Sequence, residues 1–147
     1  MKKTISLLLF VAFSFLITAF SSGPTQNDWK LYKEIDGIKI YTKTSACKLQ
    51  HTNFKNLYLL FKYENSTNKD LRISGRVEPY YNNTCRSCGL DSPNEYDFSI
   101  DIPAGESREG NCSDEMKAFK LFKSSDNTNI APLDKFIFSN LSVREIK

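Results

Sequence analysis

The sequence predicts an all-β fold, an antiparallel sandwich or barrel of about seven or eight short strands, and three observations carry that reading. Apolar residues recur with period two in short runs, which places them on one face of a strand because successive side chains point to opposite faces. The runs are separated by clusters of Asn, Asp, Ser, Gly and Pro, the residues that turns require. No stretch after residue 21 carries a sustained i, i+3, i+4, i+7 apolar stripe with caps, so helix has no matching signal.

The elements follow in order. Residues 1–21 have the three parts of a secretory signal: Lys2 and Lys3, an apolar run from Ile5 to Phe20, and small residues at Ala19 and Ser21. Ser6, Ser14 and Thr18 break the apolar run, which therefore falls short of the roughly 20 apolar residues that a transmembrane helix needs. Cleavage is expected after Ser21, and residues 22–28 read as a flexible leader. Residues 29–147 are expected to form a single domain.

Trp29 and Leu31 open the first strand, and Asp36-Gly37 separates it from the alternation of Ile38, Ile40 and Thr42. An Asp-Gly pair between two such runs predicts a tight hairpin, because its turn needs positive φ. Leu57, Leu59, Phe61 and Tyr63 form one face of a strand whose other face, Tyr58, Leu60 and Lys62, is also largely apolar, as in a central strand. The polar cluster Asn65 to Asp70 turns the chain into Leu71, Ile73, Gly75, Val77 and Pro79. Pro79 cannot donate to a ladder, so this strand is expected to end there or to run at an edge. Tyr96, Phe98, Ile100 and Ile102 alternate with Asp97, Ser99 and Asp101, and Pro103-Ala104-Gly105-Glu106 makes the next corner. Phe119, Leu121 and Lys123 mark a further strand, Ser124 to Pro132 a loop, and Phe136 to Val143 the last strand.

Cys47, Cys85, Cys88 and Cys112 all follow the signal, and thiols in an exported chain normally pair. If neighbouring strands alternate in direction, the loops at 44–56 and 81–95 and the stretch reaching Cys112 all lie at one end of the fold. Two disulfides are expected, Cys47 with one of Cys85 or Cys88 and the other with Cys112; a Cys85–Cys88 ring with Cys47–Cys112 ranks next. Cys85-Arg86-Ser87-Cys88 has the spacing of thiol-disulfide oxidoreductases, but it follows a loop and lacks the helix start that activates such thiols, so loop stapling is preferred. Zinc held by cysteines with His51 is a second alternative, and the expectation is that no metal or cofactor is bound.

The net charge of +3 falls close to neutral once Lys2 and Lys3 are removed with the signal, which leaves no electrostatic case for nucleic acid. His51 is the only histidine, and no nucleophile-elbow sequence surrounds any serine. The expectation is a protein that is not an enzyme. Asn65-Ser66-Thr67, Asn82-Asn83-Thr84 and Asn140-Leu141-Ser142 match the glycosylation acceptor pattern. The lysine- and asparagine-rich composition reads as bacterial, so these are taken as turn residues.

The succession from Leu57 to Asn65, the polar turn, Leu71 to Tyr81, and then Ile102-Pro103-Ala104-Gly105-Glu106-Ser107 resembles exported bacterial immunoglobulin-like domains of the FxLYD and CARDB type. The resemblance covers roughly residues 54–112, and the cysteines near residue 85 depart from it. It implies an immunoglobulin-like antiparallel β-sandwich with an adhesive or accessory role and no catalytic residues. Residues 29–42, Trp-Lys-Leu-Tyr-Lys-Glu-Ile-Asp-Gly-Ile-Lys-Ile-Tyr-Thr, are similar to the opening hairpin of START-type lipid-binding domains. Those domains close their cavity with a long helix across a curved sheet, so lipid binding is the alternative reading. The working surface is expected at the cysteine-bearing end, where Tyr80, Tyr81, Arg86 and His51 gather. Tyrosine and arginine are the types enriched in binding hot spots, and the expected partner is another envelope or extracellular macromolecule.

Overall fold

A computed structural model describes residues 28–48 and 54–147. The expected signal peptide, nearly all of the leader and His51 lie outside the described residues. The strands are β1 (Lys30–Ile35), β2 (Ile38–Lys48), β3 (Lys55–Asn65), β4 (Leu71–Tyr81), β5 (Thr84–Cys85), β6 (Asp97–Ile102), β7 (Ser107–Glu109), β8 (Lys120–Ser125) and β9 (Leu133–Glu145). They form two antiparallel sheets packed as a sandwich, the class that the alternation predicts. No helix occurs among the described residues, and the opening hairpin packs instead against β9, with Tyr32 4.8 Å from Phe136 between ring centroids.

Asp36 and Gly37 both adopt positive φ, 44° and 83°, and close β1 onto β2 in the two-residue turn expected of them. β2 and β3 pair over their whole length, from Ile38 opposite Asn65 to Lys48 opposite Lys55. On the far side of β3, β7 pairs with Lys62 to Glu64 and β8 with Asn56 to Leu60, so two short strands share one edge. In the second sheet β4 is central. β9 lines one side of it, while β6 and β5 divide the other.

The position of β4 corrects the expectation for Pro79, which stands in a central strand. The Pro79 carbonyl accepts the backbone N–H of Arg86 at 2.9 Å, and in an antiparallel strand N–H and C=O of one residue point the same way. Its missing donor therefore faces the β5 and β6 side, where β6 has ended opposite Arg76 and β5 begins only opposite Tyr80. No ladder bond is lost there.

The core forms where the two inward faces meet: Ile38, Ile40, Phe61 and Tyr63 against Ile73, Val77, Phe98, Ile102 and Phe138, with Leu121 beside them. Phe61 meets Phe136 and Phe138 edge-on at 5.2 and 5.3 Å between centroids, the arrangement that ring quadrupoles prefer. Tyr63 is fully buried and donates its hydroxyl to the Ala118 carbonyl at 2.7 Å, which satisfies the one polar atom on that ring. Burial holds its hydroxyl well above the usual tyrosine range.

Asn65 ends β3 at 1% exposure. Its amide nitrogen donates to the carbonyls of Lys69, Ile102 and Pro103, and its oxygen accepts from the backbone and hydroxyl of Thr67. Asn82 and Asn83 take positive φ in the turn between β4 and β5, and Asn140 takes φ 52° within β9. The triplets at Asn65, Asn82 and Asn140 thus each begin with a residue that shapes the backbone.

Candidate functional site

The cysteine pairing differs from the first expectation: Cys47 bonds Cys112, and Cys85 bonds Cys88. Cys47 shares the parity of Lys39, Tyr41 and Lys43 on β2, opposite to the core residues Ile38 and Ile40, and so faces outward from the first sheet. The chain leaves the β7 edge after Gly110, crosses β3 and reaches Cys47 through Cys112. Cys85 lies on β5, in the other sheet. Each bridge therefore forms within its own layer, and no free thiol is left among the described residues.

Of the four residues expected at the working surface, the structure brings two together. Tyr81 and Arg86 meet, with the guanidinium 5.7 Å from the ring centroid. Tyr80, next to Tyr81 on β4, points to the opposite face, where the Lys135 ammonium sits 4.5 Å from its ring and its hydroxyl lies 3.5 Å from Cys88 Sγ.

Tyr81 and Arg86 help line a shallow cleft of about 250 Å³ with Tyr96, Phe122, Ile130 and Ala131. The end of β4 supplies Tyr81, β8 supplies Phe122, the loop before β6 supplies Arg86 and Tyr96, and the β8–β9 loop supplies Ile130. The Tyr81 hydroxyl donates to the Phe122 carbonyl at 2.7 Å and ties the two sheets at this point. Burial, reinforced by neighbouring Tyr96, pushes the Tyr81 hydroxyl up to about 12. Burial, with Glu95 beside it, also raises that of Tyr96. Both stay protonated at neutral pH. Ile130 is 43% exposed at the rim, and Arg86 forms no ion pair among the described residues.

The sequence alone does not single out four of these residues, Tyr96, Phe122, Ile130 and Ala131. Tyr96 continues the inward alternation of Phe98, Ile100 and Ile102 in the sequence, yet it stands one residue before β6 begins. Phe122 lies on the face of β8 opposite to Leu121, and Ile130 and Ala131 are apolar residues in an otherwise polar loop, a signal that can single them out.

Arg76 organises the loop that carries this cleft. Its Nε and Nη2 pair with both oxygens of Asp97 at 2.6 and 3.2 Å, while Nη1 donates to the carbonyls of Ser87 and Leu90. Ser92 Oγ and the Asn94 N–H also donate to Asp97. Hydrogen bonding from Arg76, then from Ser92, holds the Asp97 carboxyl well below the usual range.

Comparison with family models, curated proteins and solved structures finds no match for the chain.

Proposed function

We propose that the chain is exported and acts outside the cytoplasm as a non-catalytic binding domain, with the Tyr81–Arg86 cleft as its contact surface and another envelope or extracellular macromolecule as its partner. The observation that carries the reading is the Arg86 guanidinium, which lies over an aromatic ring in an apolar cleft with no carboxylate paired to it among the described residues. Such a site suits a protein segment that presents a carboxylate beside an apolar side chain, since arginine combines a charged fork with stacking on aromatic faces. The ionisable groups of the cleft are two protonated tyrosines and one arginine, a set fitted to recognition and not to proton transfer at neutral pH. Two disulfides support the compartment, because such bridges persist where the surroundings are oxidising.

The test compares capture from an envelope fraction by wild type, by Arg86→Ala/Ile130→Ala, and by Tyr80→Ala as a control on the other face, all verified by circular dichroism to be equally folded. The cleft variant is expected to lose the partner, with affinity reduced about tenfold or more as at a hot spot, while the control retains it. Equal recovery by all three would exclude the cleft as the contact surface.

A further inference from the structure

We propose that the two bridges have different chemistry: Cys47–Cys112 is structural, whereas Cys85–Cys88 is an exchangeable disulfide that accepts two electrons from the dithiol of another protein. The sulfur that would leave separates them first. Cys88 and Cys112 are both exposed, but Cys85 is half-buried whereas Cys47 is 4% exposed. Attack on Cys88 releases Cys85 at a half-buried position, whereas attack on Cys112 would expel the Cys47 thiolate into a buried site that disfavours the charged form.

The fold does not depend on the smaller bridge. It joins residues only three apart, so it restricts the unfolded chain little. Other bonds already hold its loop: the Arg86 N–H donates to Pro79, buried Ser87 Oγ donates to Val77 at 2.9 Å, and Arg76 donates to Ser87 and Leu90. Both redox states can keep the same backbone.

The surroundings of the sulfurs suit exchange. The Cys88 N–H donates to Cys85 Sγ at 3.1 Å, and the Tyr80 hydroxyl donates to Cys88 Sγ at 3.5 Å. Each sulfur thus has a donor that stabilises it as a leaving thiolate. A carboxylate oxygen of Glu78 lies within 4.8 Å of both sulfurs, close enough to receive a proton from an incoming thiol directly or through one water.

The step balances as follows. One partner thiol gives its proton to Glu78, and the resulting thiolate attacks Cys88 Sγ. The Cys85–Cys88 bond breaks, and Cys85 leaves as a thiolate held by the Cys88 N–H. The second partner thiol then attacks its own chain's sulfur in the mixed disulfide and releases Cys88 beneath Tyr80. The two protons end on Cys85 and Cys88, and the partner is oxidised to its disulfide.

The experiment mixes the oxidised chain with a reduced synthetic peptide carrying two cysteines, quenches in acid, alkylates, and maps the labels by mass. Peptide oxidation should match, one for one, label on Cys85 and Cys88, with Cys47 and Cys112 unlabelled. In a dithiothreitol series, Cys85–Cys88 should open at a concentration about tenfold lower than Cys47–Cys112. Simultaneous opening, earlier opening of Cys47–Cys112, or equal peptide oxidation by a Cys85→Ser/Cys88→Ser chain would overturn the proposal. That double variant should retain the wild-type circular dichroism and a cooperative melting transition, lowered less than by loss of Cys47–Cys112, and its unfolding would show the bridge to be structural. Glu78→Gln should slow exchange at neutral pH and move its rise to higher pH, and an unchanged pH profile would refute the proton transfer to Glu78.

Discussion

Arg76 and Asp97 face one another across β4 and β6 on the outer side of the second sheet, and their bonds hold the loop on which Arg86 and Tyr96 stand. Because those bonds keep the Asp97 carboxyl below its unfolded value, the pair stabilises the fold fully above the ordinary carboxylate pKa, and the contribution fades as pH falls towards the folded value. Melting temperatures of wild type and Asp97→Asn should therefore differ most near neutrality and converge as pH drops below about 4. A gap that widens on acidification would contradict this pairing. Asn65 makes a second residue-level test: replacing it with alanine takes a donor from the buried Ile102 carbonyl and from the part-buried Lys69 and Pro103 carbonyls, and the acceptor from the Thr67 N–H, with an expected cost of about 3 kcal/mol in urea unfolding. A loss well below that figure would mean that water replaces those bonds.

β9 shows how one inserted residue reconciles a sequence with two parities. Phe136 and Phe138 pack inward, and so do Leu141 and Val143, although their spacing would put the two pairs on opposite faces of an even strand. Asn140, at positive φ, lies where the pairing with β4 slips between Ser74 opposite Ser142 and Arg76 opposite Ser139. The extra residue turns Leu141 into the sandwich over Gly75, where an added Cβ would lie 2.8 Å from the leucine methyl. Gly75→Val should therefore cost about 1 to 3 kcal/mol by overpacking, and combining it with Leu141→Ala should recover part of that loss in the same denaturation measurement. The long runs and the Asp36-Gly37 turn were legible in the sequence because local alternation and turn chemistry determine them. The place of Pro79 was not, since it depends on where two other strands end. Nor was the cystine pairing, which depends on which layer each cysteine joins, and the cleft was half legible because its residues converge from four separate segments.

At the scale of the whole molecule, the two bridges should contribute unequally to stability. Cys47 and Cys112 lie 65 residues apart and Cys85 and Cys88 only three, so chain entropy assigns about 4 kcal/mol to the first and about 2 kcal/mol to the second. Cys47→Ala/Cys112→Ala should accordingly lower the melting temperature more than Cys85→Ala/Cys88→Ala. The opposite order would show that strain or residual structure outweighs loop length. The slip at Asn140 has one more effect, on what these molecules do to one another. Among the described residues β9 pairs only with β4, which leaves one side of a thirteen-residue strand with open backbone donors and acceptors. A flat edge of that length would template the addition of a second chain and then a third. The inserted residue bends and twists the strand part-way along, so two such edges cannot align over their full length. The asparagine that completes the core also works against polymerisation.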